Sequence, residues 1–195
     1  MEWTGQRYAD LPSVAVETYI DAPVDRVWAL VSDIRLMAEL SAELVAVEWL
    51  DGATGPAVGN RFAGHSKHAA LGDWQTTSYV VECEPERRFA WAVQDRDNPT
   101  ATWRFSLRSE GAGTVLEQWV RMGPGRSGLS IAIEQMPEKE QKIVFVRLRE
   151  FETGMTGNLA AIKARAESRA DTVAQSAAEP RNARDLDPTD PAGDH

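Results

Sequence analysis

Cysteine is almost missing from this chain and histidine is scarce, with one and three residues among 195. A lone Cys83 cannot close an internal disulfide, and one thiol with so few imidazoles is a poor start for zinc, so neither a disulfide framework nor a metal site is expected. Basic residues are in short supply as well. Twenty-one Lys and Arg stand against 30 Asp and Glu, a net charge of −9 that repels phosphate backbones and argues against nucleic acid as a partner. Long apolar runs are absent: nothing approaches the roughly 20 residues that span a bilayer, and residues 1–11 lack the basic-then-apolar layout of a secretion signal. The expectation is a cytoplasmic protein without an integral membrane segment, either monomer or homodimer.

What the chain does have is ordinary globular composition, 43% hydrophobic and 26% charged, at a length that suits one core better than two. Residues 14–20 alternate Val14, Val16, Thr18 and Ile20 against Ala15, Glu17 and Tyr19, the period of a strand. Asp21-Ala-Pro23 ends it. Pro23 suits a first helical turn, and Val24, Val27, Trp28 and Val31 then follow at helical spacing. A second short helix is predicted over 34–44, with Ile34, Met37, Leu40 and Leu44 on one side. Strand patterns return at 45–50, 60–68, 73–83, 88–94, 102–108 and 114–122, each bounded by turn formers, and short connections imply antiparallel pairing. Residues 129–137 are ambiguous. The longest helical pattern closes the series, with Val144, Leu148, Phe151, Met155, Leu159 and Ile162 in one stripe.

Helices segregated to the ends of an antiparallel run predict an α+β fold: a curved antiparallel sheet wrapped around a long C-terminal helix, with two short helices after the first strand. The predicted layout is an N-terminal arm over 1–12, a ligand-binding domain over 13–167 and a disordered acidic tail over 168–195. From residue 167 onward Arg169, Arg181 and Arg184 face seven acidic residues, and apolar periodicity lapses. Where one amphipathic helix covers a bent sheet imperfectly, an apolar cavity is expected between them.

Several blocks carry a family likeness. They are Tyr19-Ile-Asp-Ala-Pro-Val-Asp-Arg-Val-Trp28 followed by Val31-Ser-Asp-Ile34, then Gly59-Asn-Arg-Phe62, Glu84-Pro-Glu-Arg-Arg-Phe89, and Trp103 to Leu107 before Gly113-Thr114. On these the chain resembles the START/Bet v 1-like (SRPBCC) superfamily, and within it the bacterial polyketide cyclase/dehydrase-like proteins. The resemblance implies the helix-grip fold and a ligand cavity. It implies no narrower function, since relatives range from lipid carriers to aromatases to chaperone-binding domains. This chain also departs from the family pattern. Arg35-Leu-Met-Ala-Glu39 stands where an aromatic-Pro pair is common, and Thr76-Thr-Ser-Tyr-Val80 lacks the arginine that aromatases place after a tryptophan like Trp74.

Candidate site residues follow. Seven tryptophans serve either as core or as cavity lining, and Trp74, Trp91, Trp103 and Trp119, all on predicted strands, are the candidates for stacking on a flat ligand. Phe151, Met155, Asn158 and Leu159 are the helix residues expected to face it. Gly154 and Gly157 flank Met155 and are read either as room for a cavity wall or as a mild kink. His65 and His68 fall on opposite faces of one strand and cannot share a metal. Catalytic candidates are His65, Glu117 and Arg121. The last two share a face with Trp119, and either project into the apolar space or form a pair on the surface. Gly123-Pro-Gly-Arg-Ser-Gly128 has the letters of a dinucleotide fingerprint but no parallel βαβ context, so it reads as a loop or lid, and no cofactor is expected.

The leading expectation is binding of a small hydrophobic molecule, lipid-like or polyketide-like, in an internal cavity. The alternatives are a polyketide cyclase, aromatase or dehydratase using polar cavity residues, and a protein-interaction domain.

Overall fold

A computed structural model describes residues 1–69 and 72–178, with side chains through residue 168. Seven strands form one sheet: β1 (Ser13–Ile20), β2 (Leu44–Trp49), β3 (Arg61–His68), β4 (Gly72–Glu84), β5 (Arg88–Val93), β6 (Ala101–Glu110) and β7 (Gly113–Met122). Their order is β1-β7-β6-β5-β4-β3-β2 and every pairing is antiparallel. Two helices, α1 (Val24–Val31) and α2 (Ile34–Leu40), follow β1; α3 (Gly128–Gln135) and α4 (Glu140–Ala178) follow β7. This is the helix-grip α+β arrangement that the periodicities predict.

Register fixes which side chains face α4. Ile20, Phe62, Val80, Phe89, Trp91, Phe105, Leu107 and Leu116 join Val27, Val31 and Ile34 of the short helices and Leu159 and Ile162 of α4 in one buried cluster. A second cluster gathers Met122, Val144 and Leu148, with Val14 and Phe151 packed against it. These residues define the inner face; alternate residues on each strand point to the outer face. Register shifts between Leu44 and Ala46 and between Val80 and Glu82 add the irregularities that help a sheet curve.

Three boundaries differ from the sequence reading. Leu44 opens β2 instead of closing α2, because Ser41 at the end of α2 is already extended and its hydroxyl accepts from the Glu43 and Leu44 amides. The ambiguous stretch forms α3, followed by a short 3-10 turn over Pro137–Lys139. Helix α4 continues past residue 167 through a segment rich in alanine, the best helix former, and residues 179–195 of the expected tail lie outside the described residues. The N-terminal arm lies along α4. Trp3 meets Phe145 edge-on at 5.0 Å, Gln141 donates to the Gly5 carbonyl at 2.7 Å, and the Tyr8 amide donates to Glu140 at 3.1 Å.

Candidate functional site

An aromatic surface covers the middle of the inner face. Trp91 of β5 and Trp103 of β6 sit at directly paired positions, their rings 6.4 Å apart and 11° from parallel. Phe62 and Phe105 approach Trp91 at 6.0 and 6.1 Å, and Trp49 continues the surface by meeting Phe62 edge-on at 5.7 Å. Helix α4 touches it through Phe151, whose ring stands edge-on to Trp103 at 5.1 Å. Trp91 is buried, whereas Trp49, Trp103 and Phe151 are only half-buried. Aromatic faces therefore remain partly accessible at the edge of the core.

Trp91, Trp103, Phe151, Met155 and Leu159 all fall on this inner side, Met155 and Leu159 being buried on the α4 stripe. Asn158 ties helices together. With its amide turned to match its neighbours, its nitrogen donates to the Leu40 carbonyl at 3.1 Å. Trp74 lies apart, near the start of β4, in an open recess of about 430 Å³ that it shares with His65, Val45 and Lys67.

The catalytic candidates do not reach the aromatic surface. Glu117, Trp119 and Arg121 pair with Ser106, Arg104 and Thr102, one residue out of phase with Trp103, Phe105 and Leu107, and so occupy the outer face. There Arg104 bonds Glu117 at 3.3 Å, and the guanidinium groups of Arg104 and Arg121 lie 4.7 and 5.8 Å from the Trp119 ring. Glu117 thus makes a cross-strand pair with Arg104, while Arg121 lies beside the Trp119 ring. His65 is likewise exposed on the outer face, directly paired with Gln75. His68 carries the inner-face phase instead, with Nε2 3.7 Å from Glu150 of α4.

Arg147, which no sequence argument singled out, is a buried charge at the margin of the aromatic surface. It forms a two-pronged bond to Glu43, at 2.6 and 3.0 Å, and a third to Glu150 at 3.0 Å. Its guanidinium also lies over the Phe151 ring at 4.3 Å. Burial alone lowers its pKa, but the bonds and charges of Glu43 and Glu150 outweigh burial and hold it above the ordinary arginine value. The signal was present in the spacing, since Arg147 lies three residues after Val144 and four before Phe151, within the stripe.

Two further expectations need correction. Besides the recess at Trp74, an opening of about 460 Å³ lies between Tyr8, Leu11, Pro124 and Ile133. Neither is lined by Trp91, Trp103 or Phe151. The glycine-rich loop is pinned rather than free as a lid. The Tyr8 hydroxyl donates to the Gly125 carbonyl at 2.7 Å, the Gly125 amide donates to Pro99 at 2.8 Å, and a Cβ on Gly125 would sit 2.2 Å from the Asn98 carbonyl oxygen. Gly154 and Gly157 face open space and make no cavity wall.

Among the described residues, no group of three or more His, Cys, Asp or Glu side chains converges as a metal site, and no helix is long and apolar enough to cross a membrane.

Solved structures share this fold. The NMR structure of the polyketide-cyclase-like protein Cgl2372 from Corynebacterium glutamicum is 27% identical, with 89% of this chain and 97% of that one aligned at a TM-score of 0.57. The di-domain ARO/CYC protein StfQ of the steffimycin pathway aligns at a TM-score of 0.63 and 18% identity, over 82% of this chain but only 51% of StfQ. An AHSA1-like protein from Aeromonas hydrophila shares the fold at 16% identity, with coverages of 82% and 94% and a TM-score of 0.51. No curated protein matches. The profile of one protein family matches residues 12–167, nearly the whole folded part, and the chain therefore belongs to the family described as polyketide cyclase/dehydrase and lipid transport.

Proposed function

We propose that this chain binds a small hydrophobic molecule, polyketide-like or lipid-like, against the inner aromatic surface, with α4 as the movable wall. The observation that carries the reading is the parallel Trp91–Trp103 pair, with Trp103 half-buried and Phe151 of α4 edge-on to it. A flat or extended apolar ligand that replaces Phe151 on Trp103 keeps the ring contact. It also removes its own surface from water, at about 25 cal/mol per Å² of apolar area. Family membership supports the same reading.

Beside its buried apolar stripe, helix α4 is held by the Arg147–Glu43 bond and by Asn158 on Leu40, both joining it to α2 or to the segment just after it.

Native mass spectrometry of the protein purified from its own cells tests the proposal. A co-purifying small molecule with a largely apolar formula is the expected result. Protein that is ligand-free, and that also ignores a panel of fatty acids, isoprenoids and aromatic polyketides, rejects it.

A further inference from the structure

We infer that Gln118 is the polar anchor of this hydrophobic site and that the molecule it selects carries a hydroxyl or enol hydrogen. The inference rests on the proposed binding of a hydrophobic ligand and specifies its chemistry. Gln118 is 4% exposed and lies on the inner face of β7, directly paired with Val16 on one side and Phe105 on the other. Its Oε1 has no hydrogen-bond donor among the described residues. A buried acceptor without a donor is costly, and native proteins retain few such groups. An unmet carbonyl oxygen among apolar neighbours is what a ligand O–H or N–H would complete.

Placement makes the anchor reachable. Leu148 packs with Met122 in one cluster, and Leu159 shares the other with Leu116. Helix α4 and strand β7 thus run alongside each other in opposite senses. Between the levels of these two clusters lie Gln118 on the strand and Met155 on the helix, a buried residue that belongs to neither cluster. Methionine is the most adaptable of the apolar side chains and can take up a new rotamer beside a ligand. On the opposite side of the helix, Gly154 and Gly157 look into open space, so this turn of α4 is intrinsically weaker than its neighbours. A ligand that pushes Met155 aside comes within reach of the Gln118 oxygen. With the amide oriented as it stands, a donor there is bound, whereas an ether or ketone oxygen meets another lone pair unless the amide turns over to present Nε2.

Naphthol and its methyl ether form a matched pair of probes, since they share the ring and differ in the donor. Titrations followed by tryptophan emission, on the full chain and on Gln118→Met, separate the possibilities. The wild type is expected to bind naphthol about tenfold more tightly than the ether, a typical value for one buried hydrogen bond. Gln118→Met is expected to lose that preference, keep its affinity for the ether, and melt at a higher temperature because the unmet acceptor is gone. Equal binding of both probes by the wild type, or an unchanged preference in Gln118→Met, overturns the anchor and leaves hydrophobic binding standing. Binding of neither probe by the wild type counts against the hydrophobic site itself. A lower melting temperature in Gln118→Met identifies the amide as a structural group and also overturns the anchor.

Discussion

Trp91 and Trp103 face each other across β5 and β6 at 6.4 Å, nearly parallel, yet one is buried and the other half-buried. That inequality separates stability from binding. Trp91→Ala should cost about 3–5 kcal/mol, the usual range for an aromatic removed from a packed core. Trp103→Ala should cost about 2 kcal/mol, because part of its ring is already in water, while weakening hydrophobic ligands at least tenfold. Urea denaturation and emission titrations of the two variants check both halves.

A second prediction concerns the buried cation. Arg147→Met removes the partner of Glu43 and the charge over Phe151, and should destabilise the fold by about 3 kcal/mol, the low end for a broken buried pair because Glu43 keeps some access to water. A double-mutant cycle with Glu43→Gln should return a coupling of about 1–2 kcal/mol. Additive effects would mean that the short bond contributes no specific energy.

Most of the fold is legible in the sequence because each element buries one clean face. The alternation of Trp103, Phe105 and Leu107 against Arg104 and Ser106 reports a two-sided strand, and register confirms it. The site is less legible, because periodicity says which residues share a face but not which face is inside. Glu117, Trp119 and Arg121 illustrate this: an aromatic residue between two charges suits a cavity wall as well as a cation–ring pair in water. Gln118 and Arg147 are polar residues on apolar faces, and a pattern read by hydrophobicity passes over both. Nor does any local pattern report whether Phe151 and Trp103 touch.

The carboxylate of Glu167 anchors the corner where β1 meets α1. It accepts from Lys163 at 2.6 Å and from the Asp21 amide at 2.9 Å, and these bonds, the lysine first, hold its pKa below the ordinary glutamate value. A group depressed in the folded state contributes stability that is present above its unfolded pKa and is lost as pH falls through the folded value. Glu167→Gln should therefore melt below the wild type at neutral pH and converge with it in acid. Melting curves across the carboxylate range measure the difference, and parallel curves at every pH would contradict it.

Gly154 and Gly157 have unobstructed space where a Cβ would go. Alanine at either site should stabilise the chain by about 0.5–1 kcal/mol through a stiffer helix. If α4 yields to admit the ligand, the same substitutions should slow association without changing the aromatic contacts. Stopped-flow emission traces give the rates. Faster or unchanged association in the doubly substituted chain would place the moving part elsewhere.

Nitrogen-15 labelling of the indole groups locates a ligand most directly. Seven tryptophans give separate reporters, distributed over the inner face, the outer face and the N-terminal arm. Adding a hydrophobic probe such as naphthol should move the Trp91 and Trp103 indole signals and leave those of Trp3 and Trp119 in place. Shifts at Trp119 alone, or at none of the seven, would contradict a binding site on the inner aromatic surface.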